Sequence, residues 1–255
     1  MPALLQALPK PRDKAANLAT VEKYARIAAA VGAEFLCCPE LFLTGYNFGA
    51  DLRDLAEPVG GPSVARLRDI ARAAGVGLVV GLPERDGARV YNSAVAIDAG
   101  GALAGVYRKI QLFGAAEPQV FTPGEGPVVA RMGARRVGLA ICYDVEFPEI
   151  ARALTRAGAE IICAPTANMA PYAQVPTTLV RARALENGVA VVYANIAGQD
   201  GDLTFIGGSA IVGFDGRDAA RAGEVGERFL HARAEEILAP EGHPLRSTQL
   251  ADLRG

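Results

Sequence analysis

Three polar residues stand where predicted strands end, and one of them could act as a nucleophile. Cys142 closes the apolar stretch RRVGLAIC and is followed at once by YDVEFPE, a predicted helix start. A sulfur at such a strand-to-helix turn meets backbone N–H groups that favour a thiolate and can bind a developing oxyanion. Cys142 is therefore a candidate nucleophile, although a buried apolar cysteine fits the same pattern.

A thiol nucleophile at neutral pH needs a base, and histidine is its usual partner. The chain holds only His231 and His243, both late and without a catalytic pattern around them. Glu40 offers a carboxylate instead, directly after a predicted strand and a proline, and Lys109 follows the apolar stretch ALAGVYR. Taken singly, each fits a structural role as a loop or strand-end charge. Ligand sites in α/β proteins lie beyond the carboxyl ends of strands, so one shared pocket is open to these residues but not established by spacing.

The composition limits the classes of partner. The chain has 255 residues, 51% of them apolar, and its 26 basic and 28 acidic residues leave no global field for nucleic acid or an anionic membrane. No apolar run reaches the roughly 20 residues of a membrane-spanning helix, and the N-terminus lacks the order of a signal peptide, so we predict a cytoplasmic protein. The cysteines lack metal-ligand spacing, which predicts no structural metal, and three of them lie in predicted core strands: Cys37, Cys38 and Cys163.

The elements that position these residues alternate between helix and strand. Apolar residues at helical spacing predict helices over 17–31 and 63–74, each ended by a glycine and followed by a buried strand. A strand-rich middle follows, and then helix and strand alternate again, with Pro148 in a first helical turn. This pattern predicts a single α/β domain, residues 1–255, with enough mixed sheet for two packed sheets. The tail, residues 239–255, loses periodicity and is predicted to be a C-terminal arm.

Two further local expectations concern exposed positions. The segment PALLQALP is predicted to be the first strand, with weak pairing at a sheet edge because almost nothing precedes it. Arg181 and Arg183 lie on a predicted helix, where Glu186 is in reach of either, and are predicted to face solvent or an interface.

The segments around the three polar residues resemble the signature blocks of the nitrilase, or carbon-nitrogen hydrolase, superfamily. They are PELFLTGY at 39–46, YRKIQLF at 107–113 and GLAICYDVEFPEIAR at 138–152, in the family's order. Further similar stretches extend the resemblance over nearly the whole chain: YNSAVAID at 91–98, EPQVFTPG at 117–124, RARALENGVAVVYAN at 181–195 and GGSAIVGFDG at 207–216.

The resemblance implies a site and a fold. Glu40, Lys109 and Cys142 are then the catalytic triad, Glu117 is the fourth polar residue, and the Tyr143 backbone N–H helps Lys109 to hold the oxyanion. No metal or organic cofactor is implied, and the partner is a small amide substrate. The implied fold is a four-layer α-β-β-α sandwich with two mixed sheets, and the implied assembly is a homodimer or larger homo-oligomer formed through helices.

The resemblance also bears on the substrate. Tyr143-Asp144 follows the cysteine where nitrilases typically carry Trp-Glu, which favours an amidase. Relatives of the ω-amidase type, which act on substrates with a free carboxylate, tend to carry arginine at the position of Glu146, so we expect a neutral or cationic amide. Gln111 departs from the histidine of many relatives but can still form hydrogen bonds. The candidate substrate-binding residues, some of which loop packing also explains, are Tyr46, Glu146, Asn168, Met169 and Tyr172.

Other functions remain open at this stage. N-carbamoyl hydrolysis, nitrile hydrolysis and amide-forming acyl transfer use the same thioester chemistry and differ mainly in the acyl pocket and acceptor. A non-catalytic member that binds an amide or acyl metabolite is the alternative from another class. The chain has no GxSxG for a serine hydrolase and neither GxxxxGK nor a complete GxGxxG for nucleotide binding.

Overall fold

The computed structural model describes residues 1–47, 51–240 and 243. The strands are β1 (Pro2–Gln6), β2 (Phe35–Cys37), β3 (Gly77–Asp86), β4 (Arg89–Ile97), β5 (Leu103–Arg108), β6 (Val128–Met132), β7 (Arg135–Leu139), β8 (Ile161–Thr166), β9 (Ala190–Asn195), β10 (Ala197–Asp200), β11 (Leu203–Ile206), β12 (Ala210–Val212), β13 (Asp218–Arg221) and β14 (Arg228–His231). The α-helices are α1 (Lys14–Ala30), α2 (Leu52–Leu55), α3 (Pro62–Ala74), α4 (Glu117–Val120), α5 (Pro148–Arg156), α6 (Val180–Asn187) and α7 (Ala234–Ile237). A 3₁₀ turn spans Cys142–Glu146, and a π-helical turn spans Val175–Leu179.

Two six-stranded sheets of mixed direction carry these elements. The first has the order β14-β1-β2-β3-β4-β5 and the second β13-β12-β9-β8-β7-β6, while β10 and β11 form a separate hairpin. In each sheet three central strands are parallel, β1-β2-β3 and β7-β8-β9, and the outer strands are antiparallel. Because parallel strands end at the same edge, each sheet gathers several carboxyl ends on one side.

The sheets pack face to face, with helices outside both. Alternate residues of β2 divide between the two faces, so that Leu36 packs under α1 and α3 while Phe35 and Cys37 enter the core between the sheets. Residues of the second sheet such as Cys163 fill the other side of that core, and a third cluster lies beneath α5 and α6. The predicted four-layer α-β-β-α sandwich with two mixed sheets is confirmed.

Two local predictions are wrong for identifiable reasons. Helix α1 begins at Lys14 and not near Asn17, because the Asp13 side chain accepts a 2.9 Å hydrogen bond from the Ala16 N–H and caps the helix earlier. Strand β1 is not a weak edge, since it pairs with β2 on one side and with β14 on the other and is buried throughout.

The predicted C-terminal arm, residues 239–255, lies outside the described residues except at positions 239, 240 and 243. Across the ranges that the structure describes, none of the helices has both the length and the apolar character needed to cross a bilayer.

Candidate active site

The three polar segments meet at one end of the sandwich. Glu40 follows β2, Lys109 directly follows β5, and Cys142 starts the 3₁₀ turn after β7. The first sheet reaches the second here, because the backbone N–H of Glu40 donates to the carbonyl of Thr166 at the end of β8, at 3.4 Å. The carboxyl ends of both sets of parallel strands therefore face the same site.

Lys109 lies buried between two carboxylates. Its Nζ is 2.7 Å from Oε1 of Glu40 and 2.8 Å from Oε1 of Glu117, and the Lys109 and Glu40 side chains have no exposed surface. Burial alone lowers the pKa of Lys109, but the negative charges of Glu40 and Glu117 outweigh it and raise that pKa well above its usual value. Lys109 is thus a permanent cation within hydrogen-bonding distance of both acids.

The two carboxylates differ in how fully they are bonded. Glu117 accepts from Lys109 and the Tyr46 hydroxyl at Oε1, and from the Phe113 N–H at Oε2, 2.8 Å away. Glu40 accepts from Lys109 and from Asn92 Nδ2 at Oε1, both at 2.7 Å, while its buried Oε2 has no hydrogen-bond partner among the described residues. Glu117 is therefore built to hold Lys109, whereas Glu40 keeps one oxygen available for a proton.

Gly81 of β3 lies directly against the loop that carries Glu40. A Cβ at position 81 would stand 2.5 Å from the backbone N of Leu41 and 2.8 Å from Cα of Glu40. Those neighbours are backbone atoms and cannot turn aside, so the close approach of the loop to the strand requires glycine. Leu41 itself takes a left-handed φ of 48° in this tight turn.

Cys142 occupies a strained turn that Asp144 organises. Its φ is 46°, an unfavourable value for a residue with a Cβ. The Asp144 carboxylate accepts from the Tyr107 hydroxyl and from the backbone N–H groups of Gln111 and Ile141, at 2.8–2.9 Å. One buried side chain thereby joins the segment after Lys109 to the turn that begins at Cys142.

The turn after Cys142 differs from the sequence-based picture in two respects. A 3₁₀ turn comes first, and the α-helix begins only at Pro148, as the proline pattern predicted. Arg183 was predicted to face solvent or an interface, but it is buried and donates to the carbonyls of Val145 and Glu146, at 2.9 Å each. Arg183 does pair with Glu186, at 2.9 Å.

The titration of the central groups follows from burial and charge. Burial raises the pKa of the Cys142 thiol well above its usual range, and the charge of Glu40 raises it further, against the lowering effects of Lys109 and of the Ala167 backbone N–H. Burial is also the largest cause that raises the pKa of Glu40, whereas Lys109 and Asn92 lower it. A protonated thiol beside a carboxylate of raised basicity suits proton transfer during attack rather than a standing thiolate.

The predicted substrate-binding residues take different places around this centre. Tyr46 and Met169 line a pocket of about 330 Å³ that shares Glu117 with the site. The Asn168 side chain bonds within its own loop, to the carbonyl of Tyr172 and the N–H of Met169, both at 3.0 Å. Glu146 is partly exposed, and burial raises the pKa of its carboxyl while Lys109 and Arg183 lower it.

Aromatic rings gather beside the cysteine turn. Phe113 makes edge contacts with Tyr143 and Tyr172, with ring centroids 5.3 and 5.7 Å apart, and Tyr143 contacts Phe147 at 5.0 Å. These contacts join the segments after Lys109, Cys142 and Asn168 in one apolar wall.

Several site residues were not singled out from the sequence. Asn92 is a polar position in the buried strand β4, Tyr107 is the buried residue of the partly exposed strand β5, and Asp144 was noted only for its place after the cysteine. A polar residue inside an apolar strand can be recognised from the sequence, and its burial predicts a hydrogen-bond partner. The neighbouring sequence does not show which residue that partner is. Among the described residues, no three His, Cys, Asp or Glu side chains are grouped to hold a metal ion.

Comparison with known proteins agrees with this geometry. The carbon-nitrogen hydrolase family model matches residues 3–234. The chain belongs to the carbon-nitrogen hydrolase family. Relatives of this carbon-nitrogen hydrolase include a hydrolase from the pqqF 5′ region of Pseudomonas protegens, 44% identical over 99% of this chain and 88% of the relative. An (R)-stereoselective amidase of a Pseudomonas species is 39% identical over 86% of this chain and 80% of its own length.

Solved structures place this carbon-nitrogen hydrolase beside amidases of the nitrilase superfamily. A mutant amidase from Nesterenkonia sp. AN1 has a TM-score of 0.84 and 35% identity, with 99% of this chain and 96% of that chain covered. In that structure acrylamide has added to the active-site cysteine by Michael addition. The predicted membership of the nitrilase superfamily is thus confirmed, and the chain is an amidase- or nitrilase-type hydrolase.

Two buried tyrosines of this hydrolase provide a test of the Asp144 network. Tyr107 and Tyr193 are 1% and 0% exposed, but only the Tyr107 hydroxyl makes a hydrogen bond of normal geometry with the described residues. We expect Tyr107→Phe to lower the free energy of unfolding by about 1.5–3 kcal/mol, because Asp144 loses a donor. Tyr193→Phe should be neutral or stabilising in the same urea denaturation measurement, and equal losses in the two variants would contradict the network.

Proposed function

We propose that the chain hydrolyses the amide carbon-nitrogen bond of a small non-peptide substrate, with Cys142 as nucleophile, Glu40 as general base and Lys109 as an oxyanion donor. The observation that carries this proposal is the unequal bonding of the two carboxylates. Of these two carboxylates, Glu40 keeps an oxygen without a hydrogen-bond partner among the described residues, and the charge of Glu40 raises the pKa of the Cys142 thiol. Glu117 is saturated with donors and is proposed to position Lys109.

The first half of the reaction forms a thioester. Glu40 Oε2 takes the thiol proton as the sulfur of Cys142 bonds to the amide carbonyl carbon, and the carbonyl oxygen becomes an oxyanion. Lys109 and the Tyr143 backbone N–H are proposed to stabilise that charge. The protonated Glu40 then gives its proton to the departing nitrogen, so that ammonia leaves from a primary amide.

The second half releases the acid. Glu40 removes a proton from a water molecule as the water oxygen attacks the thioester carbonyl. The carbon-sulfur bond then breaks, and Glu40 passes the proton to the sulfur to restore the thiol. The charge state that the site needs is the same in both halves: Lys109 stays protonated while Glu40 gains and loses one proton. The high pKa of Lys109 supports this division of roles.

An amide is favoured over a nitrile on two grounds. Tyr143 and Asp144 replace the Trp-Glu pair typical of nitrilases, and Asp144 bonds backbone groups on both sides of the site. The amidase names of the Pseudomonas and Nesterenkonia proteins agree with this choice.

The walls of the site support a neutral or cationic amide with an apolar acyl group. The 330 Å³ pocket next to Tyr46 and Glu117 has mostly apolar walls, among them Leu41, Leu52 and Met169, and Asp202 is the one other carboxylate among its described lining residues. Glu146 adds a further acidic group near Lys109. A substrate carboxylate would meet like charges here, whereas an ammonium or a neutral chain would not.

The experiment that tests the reaction follows intact-protein mass and ammonia release together. Wild type and Cys142→Ala are incubated with small amides, with N-carbamoyl compounds and with nitriles, after circular dichroism shows that both are folded. We expect ammonia from amides, a transient acyl adduct on wild type only, and a loss of about 10⁴-fold or more in kcat for Cys142→Ala.

Each alternative gives a different result in that assay. Turnover of carbamoyl compounds or nitriles, but not of amides, would assign the reaction to those classes. Ammonia release by Cys142→Ala at the wild-type rate would remove the nucleophile from the proposal. A folded wild type that turns over none of the three classes would favour a non-catalytic binding member.

Glu146 is proposed to select the charge of the substrate. Glu146→Arg should move the ratio of kcat/KM for a carboxylate-bearing amide over a neutral amide upwards by about tenfold or more, because a repelling charge is replaced by a guanidinium that can donate two hydrogen bonds to the carboxylate. Glu149→Arg is the matched control, since it lies three residues away on the exposed surface of α5. An unchanged ratio in Glu146→Arg, or an equal change in Glu149→Arg, would exclude Glu146 from substrate selection.

We also propose that residues 1–255 form one domain that assembles as a homodimer through its outer helices. The core between the sheets draws on residues from Leu4 to Leu238, which supports one domain. Leu185 of α6 is 48% exposed and offers an apolar point on an outer helix. Light scattering at micromolar concentration should give at least twice the monomer mass of 26.5 kDa, and a purely monomeric sample would overturn the assembly.

A further inference from the structure

A short segment at the end of β8 touches both the proposed base and the proposed nucleophile. The carbonyl of Thr166 accepts the backbone N–H of Glu40 at 3.4 Å. The backbone N–H of the next residue, Ala167, acts on the Cys142 sulfur and lowers its pKa. The position of residues 166–168 therefore affects how Glu40 and Cys142 are placed with respect to each other.

Asn195, at the end of β9, holds this segment from behind. Its Oδ1 accepts from the Asn168 N–H at 2.7 Å, and its Nδ2 donates to the Asn168 carbonyl at 3.2 Å and to the Gly207 carbonyl at 2.7 Å. The side chain is fully buried, donates both of its N–H groups and accepts one hydrogen bond at its oxygen. Both polar backbone groups of Asn168 are thus fixed by one side chain.

The backbone of Asn195 is held in turn by hydrogen bonds that lead to the first sheet. Its backbone N–H donates to Ser209 Oγ at 2.9 Å, and the Ser209 N–H donates to Oε1 of the buried Gln6 at 3.1 Å. Gln6 belongs to β1 of the first sheet, and its Nε2 donates to the carbonyls of Gly223 and Gly226. A continuous buried network therefore runs from the first sheet to the segment beside the cysteine.

We propose that Asn195 is a positioning residue that fixes residues 166–168, which accept the Glu40 N–H at Thr166 and carry the Ala167 N–H beside Cys142, and so sets the reactivity of the thiol. The inference rests on the proposed nucleophilic role of Cys142 and goes beyond it, since the hydrogen bonds of Asn195 within the described residues go to neither Cys142 nor Glu40. Without the Asn195 side-chain amide, Asn168 loses two hydrogen bonds to its backbone groups, and the Gly207 carbonyl loses a third bond. The Ala167 N–H then moves away from the sulfur, and the thiolate loses a donor.

The chain contains a matched control for this arrangement. Asn17 is equally buried, accepts from the Lys10 N–H at 2.7 Å, and donates to the carbonyls of Lys10 and Leu43 at 2.8 and 3.0 Å. Like Asn195, Asn17 therefore bonds both backbone groups of one residue and the carbonyl of a second residue. The residues that it holds are Lys10, in the segment before α1, and Leu43, and neither belongs to the segment 166–168. Asn17→Ala and Asn195→Ala remove equal numbers of hydrogen bonds from buried sites, and only the second lies behind the cysteine.

The experiment measures alkylation of Cys142 by iodoacetamide as a function of pH, read by intact mass in wild type, Asn195→Ala and Asn17→Ala. The three other cysteines are fully buried, and Cys142→Ala measures any alkylation at residues other than Cys142. Loss of a donor to the thiolate raises the thiol pKa, so the rate at pH 8 should fall about tenfold in Asn195→Ala, equivalent to about 1.4 kcal/mol. The difference should shrink as the pH rises above the thiol pKa, and Asn17→Ala should match wild type throughout.

The possible outcomes separate positioning from general destabilisation. Unchanged alkylation in folded Asn195→Ala, or the same loss in Asn17→Ala, would overturn the proposal. If Asn195→Ala does not fold, Ser209→Ala removes only the hydroxyl that anchors Asn195; a smaller shift in the same direction supports the proposal, and no shift overturns it. The assay needs no amide turnover, so failure of the proposed amidase activity would be seen separately. With an active substrate, kcat should fall while KM stays within about threefold.

Discussion

The burial of Lys109 between Glu40 and Glu117 is the interaction on which the site depends. An ammonium ion removed from water costs several kcal/mol unless charges and hydrogen bonds compensate for it. Here two carboxylate oxygens lie 2.7 and 2.8 Å from Nζ. Two carboxylates surround one ammonium near Cys142. The charges of Glu40 and Glu117 raise the pKa of the thiol and so help to keep it protonated, whereas Lys109 lowers that pKa. The same arrangement that fixes the lysine therefore leaves the proposed nucleophile protonated, and the proposed reaction assigns its proton to the free oxygen of Glu40.

The two-sheet architecture makes such a charged group possible. Glu40 and Lys109 leave the first sheet, Cys142 leaves the second, and the Glu40 N–H bonds to Thr166 where the two sheets meet. The central parallel strands of each sheet are buried on both faces, and the Glu40 and Lys109 side chains beyond the strand ends are buried as well. Asp144 and Asn195 then tie the emerging loops to one another by hydrogen bonds to backbone groups. The scaffold supplies the desolvation, and the buried polar side chains supply the geometry.

The sequence predicts the parts of this site that coincide with strand ends, and it misses those that depend on distant partners. Glu40, Lys109 and Cys142 stand at recognisable changes from apolar to polar sequence, and the resemblance of their segments to one family joins them. The contacts of Asn92 with Glu40 and of Tyr107 with Asp144 span 52 and 37 residues, so no local pattern contains them. Arg183 was misplaced for the same reason, since its partners are carbonyls in another segment. Strand β1 lies inside its sheet because it pairs with β14, more than 200 residues later. The sequence of the N-terminal segment alone does not show that pairing.

Three unfavourable features of the structure lie in or beside the site. Cys142 has a left-handed backbone, Glu40 has a buried oxygen without a donor, and the Tyr193 hydroxyl lies buried without a hydrogen bond of normal geometry among the described residues. Each costs of order 1–3 kcal/mol, and a fold keeps such features only where the surrounding contacts determine them. Glu117 provides the comparison, because it is an equally buried carboxylate a few ångströms away with both oxygens bonded. The chain can thus satisfy a carboxylate in this environment, and the unsatisfied oxygen is specific to Glu40, whose charge acts on the Cys142 thiol.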